Sequence, residues 1–357
     1  MAIYFPLFPK RYFIGAFDYL IKCQRIGASK AIFVFKIAFP SVCFRKEKKK
    51  FDKWYNQPSS LGGTIMKKVT KAVIPAAGMG TRFLPATKAL PKEMLPIIDT
   101  PNIHYIVQEA VKAGIQDILI IVSNSKESIE DYFDVNFELE TRLRQSGKDA
   151  QADEIRAIAN MANVCFVRQK EPKGLGDAIK YAKTFVGDEP FAVMLGDDLI
   201  DDAEKPAIGE LIEAYYQTEG TILGCRKVPQ NLLKKYGVVK PFDKAEGKVF
   251  QVTDMVEKPK DPSLAPSDVA VLGRYVLPPE IFDVLERTPK GVGGEIQLTD
   301  AIRLSLEQRK CYACIFTGER YDIGDKFGYI KATLDFALRR DDLRDSVKEY
   351  IRKLAEE

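Results

Sequence analysis

Strand-length apolar runs that alternate with helix-length amphipathic stretches constrain this chain more than any other feature. After Met66, such runs fall at residues 72–74, 118–122, 164–167, 191–195 and 221–223. They are too short for helices and lack polar alternation, the pattern of strands buried on both faces. Between the first two lies residues 101–113, where Ile103, Ile106, Val107, Ala110 and Val111 share one helical face. Pro101 suits its first turn and Gly114 its stop. A longer charged helix is expected within residues 133–160, and another through Ala178, Ile179, Ala182, Phe185 and Val186. This repetition predicts an α/β fold: a Rossmann-like, doubly wound, mainly parallel (mixed) sheet with helices on both faces. Ligands of such sheets bind beyond the carboxyl ends of the strands.

From Tyr236 the pattern changes. Residues 236–240, 249–256 and 268–276 read as β-rich insertions around a substrate pocket, and the chain beyond about Lys326 reads as helical and charged. No internal repeat is visible.

Charge divides the chain where the alternation begins. The whole carries 54 Lys and Arg against 50 Asp and Glu, a net +4. Residues 1–65 hold twelve of the basic and three of the acidic side chains, a net +9, which leaves −5 for residues 66–357. Fourteen of the 37 aromatic residues also lie in the first 65. A basic leader therefore precedes a mildly acidic body, and a nucleic-acid partner is disfavoured for that body.

The most apolar part of the leader, residues 31–44, is interrupted by Lys36 and Pro40. It falls short of the roughly 20 residues a spanning helix needs, so no transmembrane segment is expected. It also starts too far along the chain, without a small-residue cleavage pattern, to be a secretory signal. Three readings stay open: an extension outside the functional fold, a segment lying on an anionic membrane, or an organelle transit peptide. Arg45, Lys46, Lys48, Lys49 and Lys50, with Phe51, Trp54 and Tyr55, suit a membrane surface. The breaker-rich stretch 58–64 and the Met66-Lys67-Lys68 start favour an extension, with residues 66–357 as one domain. Six cysteines are too dilute for a disulfide framework, which points to a reducing, cytoplasmic setting. Cys311 and Cys314 have the spacing of a metal or redox pair, but no second pair completes a zinc set, and they read as ordinary strand residues.

The segment after the first apolar run carries the most chemistry: Ala77-Gly78-Met79-Gly80-Thr81-Arg82, then Pro91-Lys92. Backbone N–H groups of a glycine-rich turn after a strand can line an anion site. It is no Walker loop, since Gly-Lys-Ser/Thr is missing, and no dinucleotide fingerprint, since Phe83 stands where a third glycine belongs and Pro85 interrupts the helix. Arg82 and Lys92 add two fixed cations suited to a polyphosphate. Asp197 and Asp198 end the fourth apolar run at the same expected edge, where a turn pair would look alike. The single histidine, His104, falls on the first helix and reads as structural.

These residues resemble the signature of the sugar-phosphate nucleotidylyltransferases, G-x-G-T-R followed by P-K. The resemblance runs from about Met66 to near the C-terminus. It includes Gln169 with Lys173-Gly174-Leu175-Gly176, Leu195-Gly196-Asp197-Asp198, Tyr236-Gly237, Glu257-Lys258-Pro259, Gly273-Arg274-Tyr275 and Gly294-Glu295. It implies the nucleotidyltransferase-type sheet, with the β-rich insertions binding sugar, and a Mg2+ cofactor. The implied reaction joins UTP and glucose 1-phosphate, giving UDP-glucose and pyrophosphate without a covalent enzyme intermediate. A phosphate monoester is already an anionic nucleophile near neutral pH, so no general base is required.

By that resemblance Arg82 and Lys92 bind the nucleotide phosphates and Asp197 holds the metal; Asp322, in Tyr321-Asp322-Ile323-Gly324, is a candidate second carboxylate. Ala77, Gly78, Gly80, Thr81, Gln169, Gly174 and Asp198 make the nucleotide site. Gly237, Glu257, Lys258 and Gly273 make the sugar-phosphate site, and Glu295 is a further pocket candidate. The family likeness also implies a homodimer or homotetramer. Two alternatives remain: thymidylyl transfer to the same sugar phosphate, and a non-catalytic regulatory subunit on the same fold.

Overall fold

A computed structural model describes residues 67–201 and 205–356. The expectations for residues 1–65 lie outside the described residues. In chain order the strands are β1 (Lys71–Ala76), the two-residue β2 (Pro96–Ile97) and β3 (Thr100–Pro101), β4 (Asp117–Val122), β5 (Asn163–Arg168), β6 (Phe191–Met194) and β7 (Asp198–Asp201). They continue with β8 (Thr221–Lys227), β9 (Gly237–Pro241), β10 (Val249–Glu257), β11 (Val269–Leu277), β12 (Cys311–Ile315) and β13 (Glu319–Asp322).

Nine of these described strands form one sheet in the order β5-β4-β1-β6-β11-β8-β12-β10-β9, and β7 pairs with β13 in a separate ribbon. The half from β5 to β6 is parallel, as expected from its helical crossovers. Beyond β6 the expectation of a mainly parallel sheet needs correction: β8–β12 is parallel, while β6–β11, β11–β8, β12–β10 and β10–β9 are antiparallel. The segments expected as insertions are strands of this same sheet. Between β9 and β10 no helix intervenes, and so short a return permits antiparallel pairing only.

Alternation of side chains explains why residues 72–76 of β1 are all apolar. Val73 joins a core with Ile179, Leu285, Leu298 and Ile302. Ala72 and Ile74, which point to the opposite face, are equally buried. Helix Asn102–Lys112 buries Ile103, Ile106, Val107 and Ala110, and Pro101, expected in its first turn, stands one position earlier as its N-cap. After helix Glu127–Phe133, the stretch expected as one helix within 133–160 is broken into a second and a third, Phe137–Gln145 and Asp149–Ala159. Asn136 Oδ1 accepts from Leu139 N at 3.0 Å to start the second, and Gly147, at φ 72°, turns the chain toward the third. Likewise the helix expected through Val186 is two short ones, Leu175–Lys180 and Lys183–Val186. Helices Lys326–Ala337 and Arg344–Glu356 close the described chain. No described helix is long and apolar enough to cross a membrane.

Cys311 and Cys314 are buried in β12, near Cys225, and burial pushes the thiol pKa values upward. They are inert strand residues.

Candidate active site

Because β5, β4, β1 and β6 run parallel, the segments after their carboxyl ends meet at one edge. They are, in chain order, the Gly78–Arg82 loop, residues 123–126, Gln169 and Gly196–Asp198. Gly80 has φ 64°, and a Cβ there would stand 3.1 Å from Lys92 Cβ and 3.2 Å from Thr87 Cγ2. Thr87 Oγ1 closes the loop by donating to the Gly80 carbonyl at 2.7 Å. Lys92 runs beneath it, with Nζ 3.5 Å from where a Cβ on Gly78 would sit. Gly78, Lys92, Ser123, Asn124 and Lys126 border one cleft.

Lys92 Nζ pairs with Asp197 Oδ2 at 2.5 Å. Burial works to lower the Lys92 pKa, but the charges of Asp197 and Glu93 outweigh it and the net shift is upward. Burial likewise works to raise Asp197, and Lys92 outweighs it to hold the carboxyl below its ordinary range. Behind this pair, buried Glu93 accepts from Lys126 at 2.6 Å. Desolvation raises Glu93 and lowers Lys126. Asn102 Nδ2 donates to the Gly196 carbonyl at 2.5 Å and so fixes the turn that presents Asp197.

The expectation that Asp198 ends the fourth apolar run is corrected. β6 stops at Met194, and Asp198 opens β7, directly opposite Asp322 of β13. Asp198 is buried; Oδ1 pairs with Arg320, its backbone carbonyl accepts from Arg274 at 2.7 Å, and burial pushes its carboxyl upward. Asp322 Oδ1 and Asp197 Oδ2 each lie 3.1 Å from where a Cβ on Gly324 would be, so that glycine leaves open the space beside both carboxylates. Among the described residues no group of three or more His, Cys, Asp and Glu side chains is poised around a metal. Two carboxylates with substrate phosphates are nevertheless the usual surroundings of a nucleotide-bound divalent cation, and this pair fits one. Exposed Arg82 donates to the Gly324 carbonyl at 3.2 Å, which brings the loop cation to the same place.

Gln169 is buried, and its Nε2 donates to Asp177 Oδ2 at 2.9 Å. Gly174, at φ 107°, packs so closely that a Cβ would lie 2.7 Å from the Ile296 carbonyl oxygen and from Glu295 Cβ. Glu295 is exposed beside it and accepts from Gln297 Nε2 at 3.2 Å.

On the far part of the sheet, Gly237 and Glu257 are direct partners across β9 and β10. A Cβ on Gly237 would stand 3.1 Å from Glu257 Oε2 and 3.2 Å from Thr299 Oγ1. Lys258 has φ 46°, and its Nζ lies 3.2 Å from Glu257 Oε1. Gly273, at φ 64°, faces the Asp198 carboxylate, for which any Cβ would leave no room. The glycine therefore stands against the carboxylate rather than against open space.

The structure thus joins Lys92 to Asp197, Asp197 and Arg82 to the Asp322–Gly324 turn, and Gly237 to Glu257 and Lys258. His104 stands apart, 3.0 Å from the Tyr132 hydroxyl, and burial lowers its pKa from the ordinary imidazole value. Sequence reasoning missed Glu93, Lys126, Asp177 and Arg320. Each is a buried or half-buried charge held by a partner from another segment, and an isolated charge in a sequence gives no sign of that.

The profile of the nucleotidyl transferase family matches residues 71–338. The chain belongs to that family. Its members act with a divalent metal, in keeping with the carboxylate pair beside Gly324. Within the family, the chain is 50% identical over 289 residues to the UTP–glucose-1-phosphate uridylyltransferase of Bacillus subtilis, covering 81% of this chain and 98% of that one. The UTP-bound UGPase of Acinetobacter baumannii is 42% identical with a TM-score of 0.75, covering 80% of this chain and 99% of that one. A UDP-glucose pyrophosphorylase complexed with UDP-glucose is 41% identical with a TM-score of 0.70, covering 76% of this chain and 100% of that one.

Proposed function

We propose that this family member is a UTP–glucose-1-phosphate uridylyltransferase, in which a phosphate oxygen of glucose 1-phosphate attacks the α-phosphorus of UTP. The new P–O bond gives UDP-glucose, and the bond to the β-phosphate breaks to release pyrophosphate. The observation that carries this reading is the Lys92–Asp197 pair beneath the Gly78–Gly80 turn: a fixed cation and a carboxylate at one loop edge. Arg82 and Lys92 neutralise the nucleotide phosphates as charge accumulates on the leaving group, an electrostatic contribution that needs no proton transfer. Asp197 and Asp322 hold the metal, assigned as Mg2+; when bound, that ion supplies further charge neutralisation to the phosphates.

Backbone groups of Ala77, Gly78, Gly80 and Thr81 cradle the nucleotide, with Gln169 and Gly174 reading the base. Asp198 supports that side from its buried ion pair. Glu257 accepts from glucose hydroxyls, Lys258 pairs with the sugar phosphate, and Gly237 and Gly273 keep the backbone close. Residues 66–357 form the domain that does this, and residues 1–65 stand outside it; the span of the family match supports that division. Exposed Phe327, Ile330 and Leu334, at helical spacing, favour a homodimer or homotetramer. Four free thiols among the described residues favour a cytoplasmic setting.

Replacement of Lys92 by Ala, and separately of Asp197 by Ala, tests the site. Each lowers the rate of pyrophosphate release by about a hundred-fold or more if these groups stabilise the transition state. Near-native release by both variants would contradict it.

A further inference from the structure

Arg320 projects from β13 into the junction between the two halves of the site. Its side chain is 12% exposed, and Nη2 pairs with Asp198 Oδ1 while standing 3.9 Å from Asp322 Oδ2. Nη1 donates to the Tyr236 hydroxyl at 3.0 Å, and the guanidinium carbon lies 5.0 Å from the centre of the Tyr236 ring. Tyr236 immediately precedes Gly237, and its carbonyl accepts from Lys258 N at 3.0 Å. One planar group therefore contacts the carboxylates at the phosphate edge and the residue that anchors Gly237 and Lys258.

Two properties favour a geometric role. A buried ion pair contributes little net stability compared with well-packed apolar side chains. A guanidinium also offers several donors in a rigid plane and stacks on aromatic rings, which an ammonium cannot reproduce. The anchorage behind it is equally firm. Arg274, fully buried, donates to the Asp198 carbonyl at 2.7 Å and pairs with Glu109 at 2.6 Å, so Asp198 is held on both its carboxylate and its backbone.

We propose that Arg320 is a positioning residue for uridylyl transfer, tying the Asp198–Asp322 ribbon to Tyr236 so that sugar phosphate and nucleotide meet in line. The proposal rests on the assignment of those two edges given above. Misplacing the nucleophile by a fraction of an ångström is enough to slow such a reaction, since its rate depends on alignment.

The test compares the native enzyme with Arg320→Lys, Tyr236→Phe and the double variant, by steady-state kinetics for both substrates and by thermal melting. Arg320→Lys lowers kcat/KM for glucose 1-phosphate by about ten- to a hundred-fold. Tyr236→Phe keeps the ring, loses one hydrogen bond, and raises the KM for glucose 1-phosphate with little change in Tm. In the Arg320→Lys background the same Tyr236→Phe change adds little, because the link is already broken. Additive effects, or a lower Tm with unchanged kinetic constants, would overturn the proposal. If Arg320→Lys does not fold, Tyr236→Phe decides alone: a raised KM for glucose 1-phosphate supports the link and an unchanged KM removes it. Native protein that forms no UDP-glucose would instead refute the assigned reaction.

Discussion

Lys92 Nζ lies 2.5 Å from Asp197 Oδ2, although 105 residues separate the two in the chain. Strand order creates this pair. β1 and β6 are adjacent and parallel, so the loop after one and the turn after the other leave the sheet side by side. The cation is thereby fixed before any substrate arrives, which is how an electrostatic catalyst avoids reorganising during the reaction.

The pair has a defined pH window. Lys92 is shifted upward from its ordinary 10.5, so its contribution to stability is present below that value and is lost as pH rises through the higher folded value. Asp197 is shifted downward from 3.8, so its contribution is present above that value and is lost as pH falls through the lower folded value. The Tm deficit of Asp197→Ala is therefore expected to shrink as pH falls below about 4. A deficit that grew over that range would show that other titrations control the pair.

Lys126→Met leaves Glu93 buried without its counter-ion, at a cost of about 3–5 kcal/mol. Burial already raises the Glu93 pKa above its ordinary 4.5, and removing Lys126 raises it further. A carboxyl whose folded value is raised favours the folded state at low pH and loses that advantage as pH rises. Denaturant melts should therefore show a smaller deficit for this variant at acidic than at alkaline pH, and the opposite trend would refute the assignment.

Asp177 fixes the orientation of the Gln169 amide. A carboxylate only accepts, so the amide NH2 faces Asp177 and the carbonyl oxygen is free to face a base. That oxygen suits the N3–H donor of uracil and not the bare N3 of cytosine. Asp177→Asn, able to donate as well, releases this constraint. Preference for UTP over CTP is expected to fall by about ten-fold, the effect of one hydrogen bond. An unchanged ratio of kcat/KM values would place base selection elsewhere.

Much of this arrangement is legible in the sequence, for identifiable reasons. Val73, Ile120 and Val193 fall in short apolar runs because strands covered on both faces tolerate little else. Gly80 and Lys92 are separated by a spacing that itself carries chemistry. The partners that fix these groups are different. Glu93 meets Lys126 across 33 residues, Arg320 meets Asp198 across 122, and Arg274 meets Glu109 across 165. Those meetings depend on strand order, which local periodicity does not encode. The same limit explains the misreading of β9, β10 and β11, since an apolar segment of strand length does not reveal which sheet it will join.

Incubating the purified protein and Mg2+ with glucose 1-phosphate and each of UTP, dTTP, ATP, CTP and GTP, and following both pyrophosphate and the sugar nucleotide, decides whether uridylyl transfer is the reaction. UTP should give UDP-glucose and pyrophosphate in equal amounts, with a kcat/KM above that of every other nucleotide. A clear preference for dTTP, or nucleotide binding without any turnover, would contradict it.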